Sequence, residues 1–192
     1  MYKIHIATSR PIGYKCIKWA IQQGYELVDM KDADIFVSVM YDAVIPEDYI
    51  NQRKCYNFHP GVLPWYRGAG AYSWVIINGE FETGVTFHRI DKDIDHGPVI
   101  DIQRFPIEKE TAGELFEKAE ELILEMFKRW FPVIASGQEM KEHNQEAGRI
   151  YYRKDLEKAK DLTKFIKAFT FEGKESAYYF NSLGEKIYIR YE

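Results

Sequence analysis

Asn57, Phe58, His59, Pro60 and Gly61 stand in a row at the end of the largely apolar run KCYNFH, and here chemistry is most easily written. In an extended chain alternate side chains share a face, so Asn57 and His59 point one way and Phe58 the other. Pro60 keeps the backbone of His59 extended, and Gly61 lets the chain turn without a side chain in the way. An amide able to donate to a developing oxyanion therefore stands beside an imidazole able to exchange protons near neutral pH. A turn-capping Asn beside a structural His is the plainer alternative, favoured by residue type alone; the spacing, the strand end and the Pro60-Gly61 lock bring the two readings level.

A second cluster, Asp91-Lys92-Asp93-Ile94-Asp95-His96-Gly97-Pro98, alternates carboxylates along a polar loop. It imitates a calcium loop but lacks the bidentate Glu at the required distance and the flanking helices. An acidic turn is one reading. A carboxylate turned toward His59, fixing its tautomer or raising its pKa, is the other. Periodicity does not choose among Asp91, Asp93 and Asp95. Cys16 and Cys55 form no CxxC pair, so neither a metal cluster nor a disulfide framework is indicated.

These residues need a scaffold. KIHIAT (3–8) reads as a strand, IGYKCIKWAIQQG (12–24) as a helix ended by Gly24, and ELVDM (26–30) as a further strand. IFVSVMY (35–41) is apolar at nearly every position, as a strand covered on both faces should be. A short helix follows Pro46, then the strand KCYNFHP (54–60). That rhythm predicts an α/β domain with a mainly parallel sheet, and in such sheets ligands bind beyond the carboxyl ends of the strands. Residues 61–70 read as a Gly- and Pro-containing loop, 71–79 as a helix, and 83–90 and 98–107 as two strands. Thr111 and Glu114 form a capping-box pattern. Behind it Leu115, Ala119, Leu122, Met126, Trp130 and Ile134 recur at helical spacing, predicting an amphipathic helix over 112–135 that packs on the sheet. Composition changes after Gly137. The expectation is a catalytic core over 1–137 and a small C-terminal subdomain over 138–192: a polar surface wrap, a short helix near 161–168 and a β-hairpin in which SLGE joins AYYF to KIYIRY.

The 192 residues suit one domain with a small appendage. A net charge of −4 argues against a nucleic-acid partner bound through its phosphates. No apolar run reaches membrane-spanning length and the first residues read as a strand, not a leader, so the cytoplasm is the expected compartment. Fourteen Tyr, twelve Phe and four Trp are read first as packing.

With these residues in place, NFHPGVLPWYRGAGAYSWVIINGEFETGVTFHRIDKDIDHGPVI resembles the signature region of the 10-formyltetrahydrofolate-dependent formyltransferases. The likeness lies in Asn-x-His-Pro, Leu-Pro, an aromatic-Arg-Gly, a Trp-containing helix closed by Asn-Gly, Gly-Val-Thr-x-His and Asp-x-Gly, in that order. It implies a Rossmann-like core with Asn57, His59 and Asp95 as the catalytic trio and His88 as a supporting residue. N10-formyltetrahydrofolate is the implied co-substrate, with no metal. Its pterin is placed by the resemblance against Met40, Tyr41, Val44 and Ile45 and against Asp91, Asp93 and Ile94 of the later loop. The implied reaction is direct attack of a neutral amine on the formyl carbon, the tetrahedral intermediate being stabilised by Asn57 and a His59 imidazolium that Asp95 keeps charged.

Among the family's branches, the helix AYSW and the following Asn-Gly-Glu look most like enzymes that formylate nucleotide-linked amino sugars, of the pseudaminic-acid pathway type. Trp65, Tyr66, Arg67 and Tyr72 are then candidates to meet a nucleotide or diphosphate. A tRNA acceptor is disfavoured by the acidic charge. A glycinamide-ribonucleotide acceptor is disfavoured by Ser9-Arg10-Pro11-Ile12-Gly13, a poor phosphate loop, and hydrolysis of formylfolate by water remains an alternative. A homodimer is expected from the aromatic surplus and from relatives.

Overall fold

The computed structural model describes residues 2–152, 155, 161–180 and 183–189. In chain order the elements are β1 (Ile4–Ala7), α1 (Pro11–Gln22), β2 (Ile35–Val39), α2 (Glu47–Asn51), β3 (Lys54–His59), β4 (Arg67–Gly68), α3 (Ala71–Asn78), β5 (Glu82–Arg89), β6 (Val99–Pro106) and α4 (Ala112–Ser136). They are followed by β7 (Ile150–Tyr151), α5 (Leu162–Ala168), β8 (Ala177–Phe180) and β9 (Lys186–Ile189).

The central sheet has the order β1-β2-β3-β5-β6. The first three strands run parallel, as helical crossovers demand, and β5 and β6 add antiparallel to β3. All five residues of β2 are buried, which is why that stretch reads as unbroken apolar sequence. The expected strand over 26–30 shrinks to one bridge, Leu27 against Ile4. The His5 imidazole takes up the Val28 carbonyl at 2.8 Å, and the chain then turns into a short 3₁₀ segment, Met30–Asp32. The Val28 N–H donates to the Ile4 carbonyl at 3.0 Å, and the chain leaves the sheet edge after this single bridge.

α4 opens with the predicted box: the Thr111 side chain accepts from the Glu114 N–H, and the Glu114 carboxylate accepts from the Thr111 N–H. Its fully covered stripe is Leu115, Ala119, Ile123, Met126, Phe127, Phe131 and Ile134. Leu122 and Trp130, placed on that stripe by spacing, lie at its half-buried margin. Phe127 sits between Phe131 and Phe58, with ring centroids 4.7 and 5.5 Å away, and so joins the helix to the back of β3. Phe58 thus occupies the core face of β3, leaving the other face of that strand to Asn57 and His59.

The loop over 61–70 contains an element that sequence did not announce. β4 pairs in parallel with β7, so the chain beyond Gly137 returns to the loop that follows β3. α5 packs on α3, with the Ser73 hydroxyl donating to the Ala168 carbonyl at 2.6 Å. β8 and β9 form the expected antiparallel hairpin. Residues 181–182 of its turn, its end at 190–192, and 153–154 and 156–160 of the surface wrap lie outside the described residues.

Candidate active site

β3 and β5 pair so that Asn57 faces His88 and His59 faces Thr86. Cross-strand partners on one face have their side chains in contact, and here they build the floor of the site. The Asn57 amide nitrogen lies 3.1 Å from His88 Nε2. His88 Nδ1 is 2.6 Å from the Arg89 carbonyl and must carry the proton there, which leaves Nε2 to accept from Asn57. The second Asn57 N–H points at Asp95 Oδ1, 3.3 Å away. Thr86 holds the following turn: its hydroxyl donates to the Gly61 carbonyl at 2.7 Å and accepts from the Leu63 N–H at 3.2 Å.

Asp95 is the carboxylate that reaches the pair. Oδ2 stands 3.4 Å from His59 Nδ1, Oδ1 stands 3.7 Å from His88 Nε2, and the Gly68 N–H donates to Oδ2 at 2.9 Å. Asp95 has a left-handed backbone, φ 46°, a conformation uncommon for any residue but glycine. Asp91 and Asp93 turn elsewhere: Asp91 accepts from the Asp93 N–H and pairs with His96 at the surface. The choice that periodicity left open among the three is therefore made by the fold of the loop.

His59 is buried, with Nε2 2.7 Å from the Tyr66 carbonyl, so that nitrogen is the donor. Gly61 is required beside it, because a Cβ there would come within 2.8 Å of His59 Nε2. Burial pulls the imidazole below its ordinary pKa, against the opposing pull of Asp95 and the Tyr66 carbonyl. Burial alone would push the Asp95 carboxyl up. His59, His88 and the Gly68 N–H outweigh it and hold Asp95 well below the usual carboxylate range. The result is an ionised carboxylate against an imidazole with one free nitrogen.

Asn57, His59 and Asp95 line one cleft of about 800 Å³. A model of the formyl transferase family matches residues 13–129, more than half of the chain and all three of Asn57, His59 and Asp95. The chain belongs to the formyl transferase family.

Within that family it is 38% identical over 100 residues to the GDP-perosamine N-formyltransferase of Brucella melitensis, covering 50% of this chain and 39% of that protein. It is 39% identical over 100 residues to the methionyl-tRNA formyltransferase of Synechococcus, covering 48% of this chain and 31% of the relative. The chain thus matches well under half the length of these curated relatives. Among solved structures, the formyltransferase PseJ of Anoxybacillus kamchatkensis superposes with a TM-score of 0.69 at 25% identity, over 81% of this chain and 88% of that one. That structure is a complex with UDP-4,6-dideoxy-4-formamido-L-AltNAc and tetrahydrofolate.

The other residues of interest to this formyltransferase fold divide by position. Met40, Tyr41 and Tyr72 line the cleft with the trio. Val44 is 91% exposed, while Ile45 packs into a small cluster around Phe36. Ile94, Asp91 and Asp93 sit on the loop bearing Asp95 but do not line the cleft. Trp65 is exposed and does not line the cleft. Two candidates for the nucleotide turn inward and do not line the cleft. Tyr66 stacks on Tyr151 and donates to Glu80 at 2.7 Å, and Arg67 spends its guanidinium on Gln145 and the Glu146 carbonyl. Both are buried because β4 is a strand pair and not a free loop.

Sequence reasoning did not find the rest of the cleft. Ser9, Arg10 and Asp42 line it at one side, tied together by the Ser9 hydroxyl accepting from the Asp42 N–H and by an Arg10–Asp42 ion pair at 3.0 Å. Phe116 of α4 together with Phe169, Phe171 and Lys174 lines it at another. These come from separate stretches with no shared spacing, so no local signal could have grouped them.

Proposed function

We propose that this chain transfers a formyl group from N10-formyltetrahydrofolate to the amine of a nucleotide-linked amino sugar. The observation that carries the reading is the convergence of Asn57, His59 and an ionised Asp95 on one cleft, in a family whose relatives are named formyltransferases. The sugar acceptor is supported by two relatives, the perosamine enzyme and the complex with a formamido sugar nucleotide. Folate is supported by the tetrahydrofolate in that same complex.

In the proposed reaction the acceptor amine bonds to the formyl carbon, the bond from that carbon to the folate nitrogen breaks, and the amine's proton passes to the site while the folate nitrogen gains one. Asn57 Nδ2 turns the N–H it gives to Asp95 Oδ1, the longer of its two bonds at 3.3 Å, toward the negative charge that builds on the formyl oxygen, a donor worth about 2.7–4 kcal/mol in comparable sites. Asp95 and the free Nδ1 of His59 face one another and together receive the proton. The imidazolium role expected from sequence gives way to this one, because burial favours the neutral ring before reaction. A 3.4 Å contact, longer than the 2.7–2.9 Å of a charged hydrogen bond, fits that state. Among the described residues, Lys174 and Arg10 are cations lining the cleft that suit a diphosphate, Arg10 on exchanging its Asp42 partner. The proposal includes a cytoplasmic enzyme acting as a homodimer, which sedimentation velocity tests.

The experiment is a mass-spectrometric formyl-transfer assay with 10-formyltetrahydrofolate and a panel of UDP-, dTDP- and GDP-linked amino sugars, comparing wild type with Asn57→Ala and His59→Ala. One sugar should gain a formyl group, with the rate falling at least 100-fold in either variant. Formylation of methionyl-tRNA or glycinamide ribonucleotide, or release of formate to water, with every sugar untouched would overturn the acceptor assignment.

A further inference from the structure

Beyond β6 and α4 the chain runs back over the catalytic loop as a strap, residues 143–151, and it grips that region at three points. His143 exchanges both backbone hydrogen bonds with Val99, each 2.8 Å, just after the Asp95 loop. At the other end the Arg67 N–H donates to the Arg149 carbonyl at 3.2 Å and the Ala69 N–H to the Tyr151 carbonyl at 2.9 Å. These flank Gly68, whose N–H holds Asp95 Oδ2. Between the two ends, Gln145 is half-buried while its neighbours on both sides are exposed. Its amide nitrogen donates to the carbonyls of Asp95, at 3.0 Å, and Gly97, at 2.7 Å. Its oxygen accepts two N–H groups of Arg67, at 3.1 and 3.0 Å. Arg67 is itself buried and has a further bond to the Glu146 carbonyl, 3.1 Å away.

We infer that Gln145, oriented by Arg67, is a positioning residue for the catalytic Asp95, setting the left-handed turn that aims the carboxylate at His59. The inference rests on the proposed role of Asp95. Each part has its reason. An L-residue at φ 46° persists only where neighbours over-determine it. The carbonyls on either side of that turn lie outside any helix or strand whose N–H groups would donate to them, and one primary amide with two N–H groups satisfies both. A primary amide pivots about its terminal bond, and the paired guanidinium bonds on its oxygen decide which way its nitrogen faces. Arg67 and Gly68 are adjacent in β4, so the same short strand supplies the support for Gln145 and the donor to the carboxylate. Neither residue of the Gln145–Arg67 pair touches the cleft, and both act on Asp95 from behind.

A structural residue whose loss merely loosens the chain would lower stability. A positioning residue must alter His59 as well, because the Asp95 charge is what props up the imidazole's pKa. The test therefore has a readout that does not depend on activity: imidazole NMR titration of His59 in wild type, Gln145→Ala, Gln145→Glu, Arg67→Lys and the exposed neighbour Asn144→Ala. Both Gln145 variants should titrate His59 at lower pH than wild type, Arg67→Lys should shift it the same way by less, and Asn144→Ala should match wild type. In the sugar assay kcat should fall about 10- to 100-fold in the Gln145 variants, the scale of a misplacement near 1 Å, with KM for the acceptor held. If no acceptor is formylated by wild type, the functional reading fails while the His59 titration still decides the positioning. An unchanged His59 titration in folded Gln145 variants would overturn the inference. Should Gln145→Ala not fold, Arg67→Lys decides, and an unchanged titration there would overturn the inference equally.

Discussion

At the scale of single residues, burial pushes His59 and Asp95 toward their neutral forms, and only Asp95 escapes. The difference lies in partners. Asp95 accepts from a backbone N–H and from Asn57 and keeps some contact with solvent, whereas His59 is enclosed and faces one carboxylate at 3.4 Å. The signs for stability follow from proton counts. With its folded pKa below the ordinary 6.5, His59 binds fewer protons folded than unfolded, so falling pH costs stability once it passes about 6.5. Asp95 is also depressed, from 3.8, and its contribution is complete above that value and lost as pH falls below it toward the folded pKa. The two effects act in one direction in adjoining windows. Urea unfolding of wild type and His59→Gln between pH 7.5 and 4.5 separates them: wild type should lose stability from about pH 6.5 downward, with a shallower slope in the variant. Equal slopes would mean that burial does not govern this histidine.

At the scale of elements, the site depends on a turn locked to the neighbouring strand. Thr86, fully buried on β5, binds the carbonyl of Gly61 and the N–H of Leu63, and so fixes the turn that carries the Tyr66 carbonyl to His59 Nε2. Thr86→Val preserves shape and orphans both groups. With an unsatisfied buried polar group costing about 1–3 kcal/mol, the variant should lose about 2–4 kcal/mol in chemical denaturation, and Thr86→Ser should retain most of it. Loss below about 0.5 kcal/mol in the Val variant would show that the turn is held by other contacts. Some of this was legible in sequence. Pro60-Gly61 announced a turn, Thr111 and Glu114 announced the start of α4, and the apolar run over 35–39 announced a strand covered on both faces. The pairing of β4 with β7 was not, since two-residue strands leave no periodicity to read. Arg67 therefore read as a loop residue that could meet a nucleotide, whereas its side chain is buried. Likewise Gln145, in a run of exposed polar residues, carried no mark of its two carbonyl partners.

At the scale of the whole molecule, the cleft is a joint product of distant segments. Residues 9–11 and 40–42, Asn57, His59, Pro60, residues 68–73, Ala168, Phe169 and residues 171–174 border it, so the α/β core supplies Asn57, His59 and Asp95 and the part beyond Gly137 supplies a wall. That Asn57 and His59 share a face was readable because they alternate at a strand end, whereas Asp95 joined them only through the order of a motif. The wall was not, because Phe169 and Phe171 read only as packing residues. A cleft built this way should respond to ligand as one unit. A folate bound against both sides stabilises every segment it bridges, by about 2.7 kcal/mol at a concentration of 100 Kd. Hydrogen exchange with 5-formyltetrahydrofolate, an unreactive formyl carrier, tests whether that unit exists. Amides over 9–13, 40–42 and 168–174 should slow together and by similar factors, while the β8–β9 hairpin, which does not line the cleft, stays unchanged. Protection confined to 9–42 would place folate against the core alone and reserve the wall carrying Phe169 and Phe171 for the acceptor. In that case adding the amino-sugar nucleotide should bring the missing protection to 168–174, and the order of binding could be read from which segment slows first.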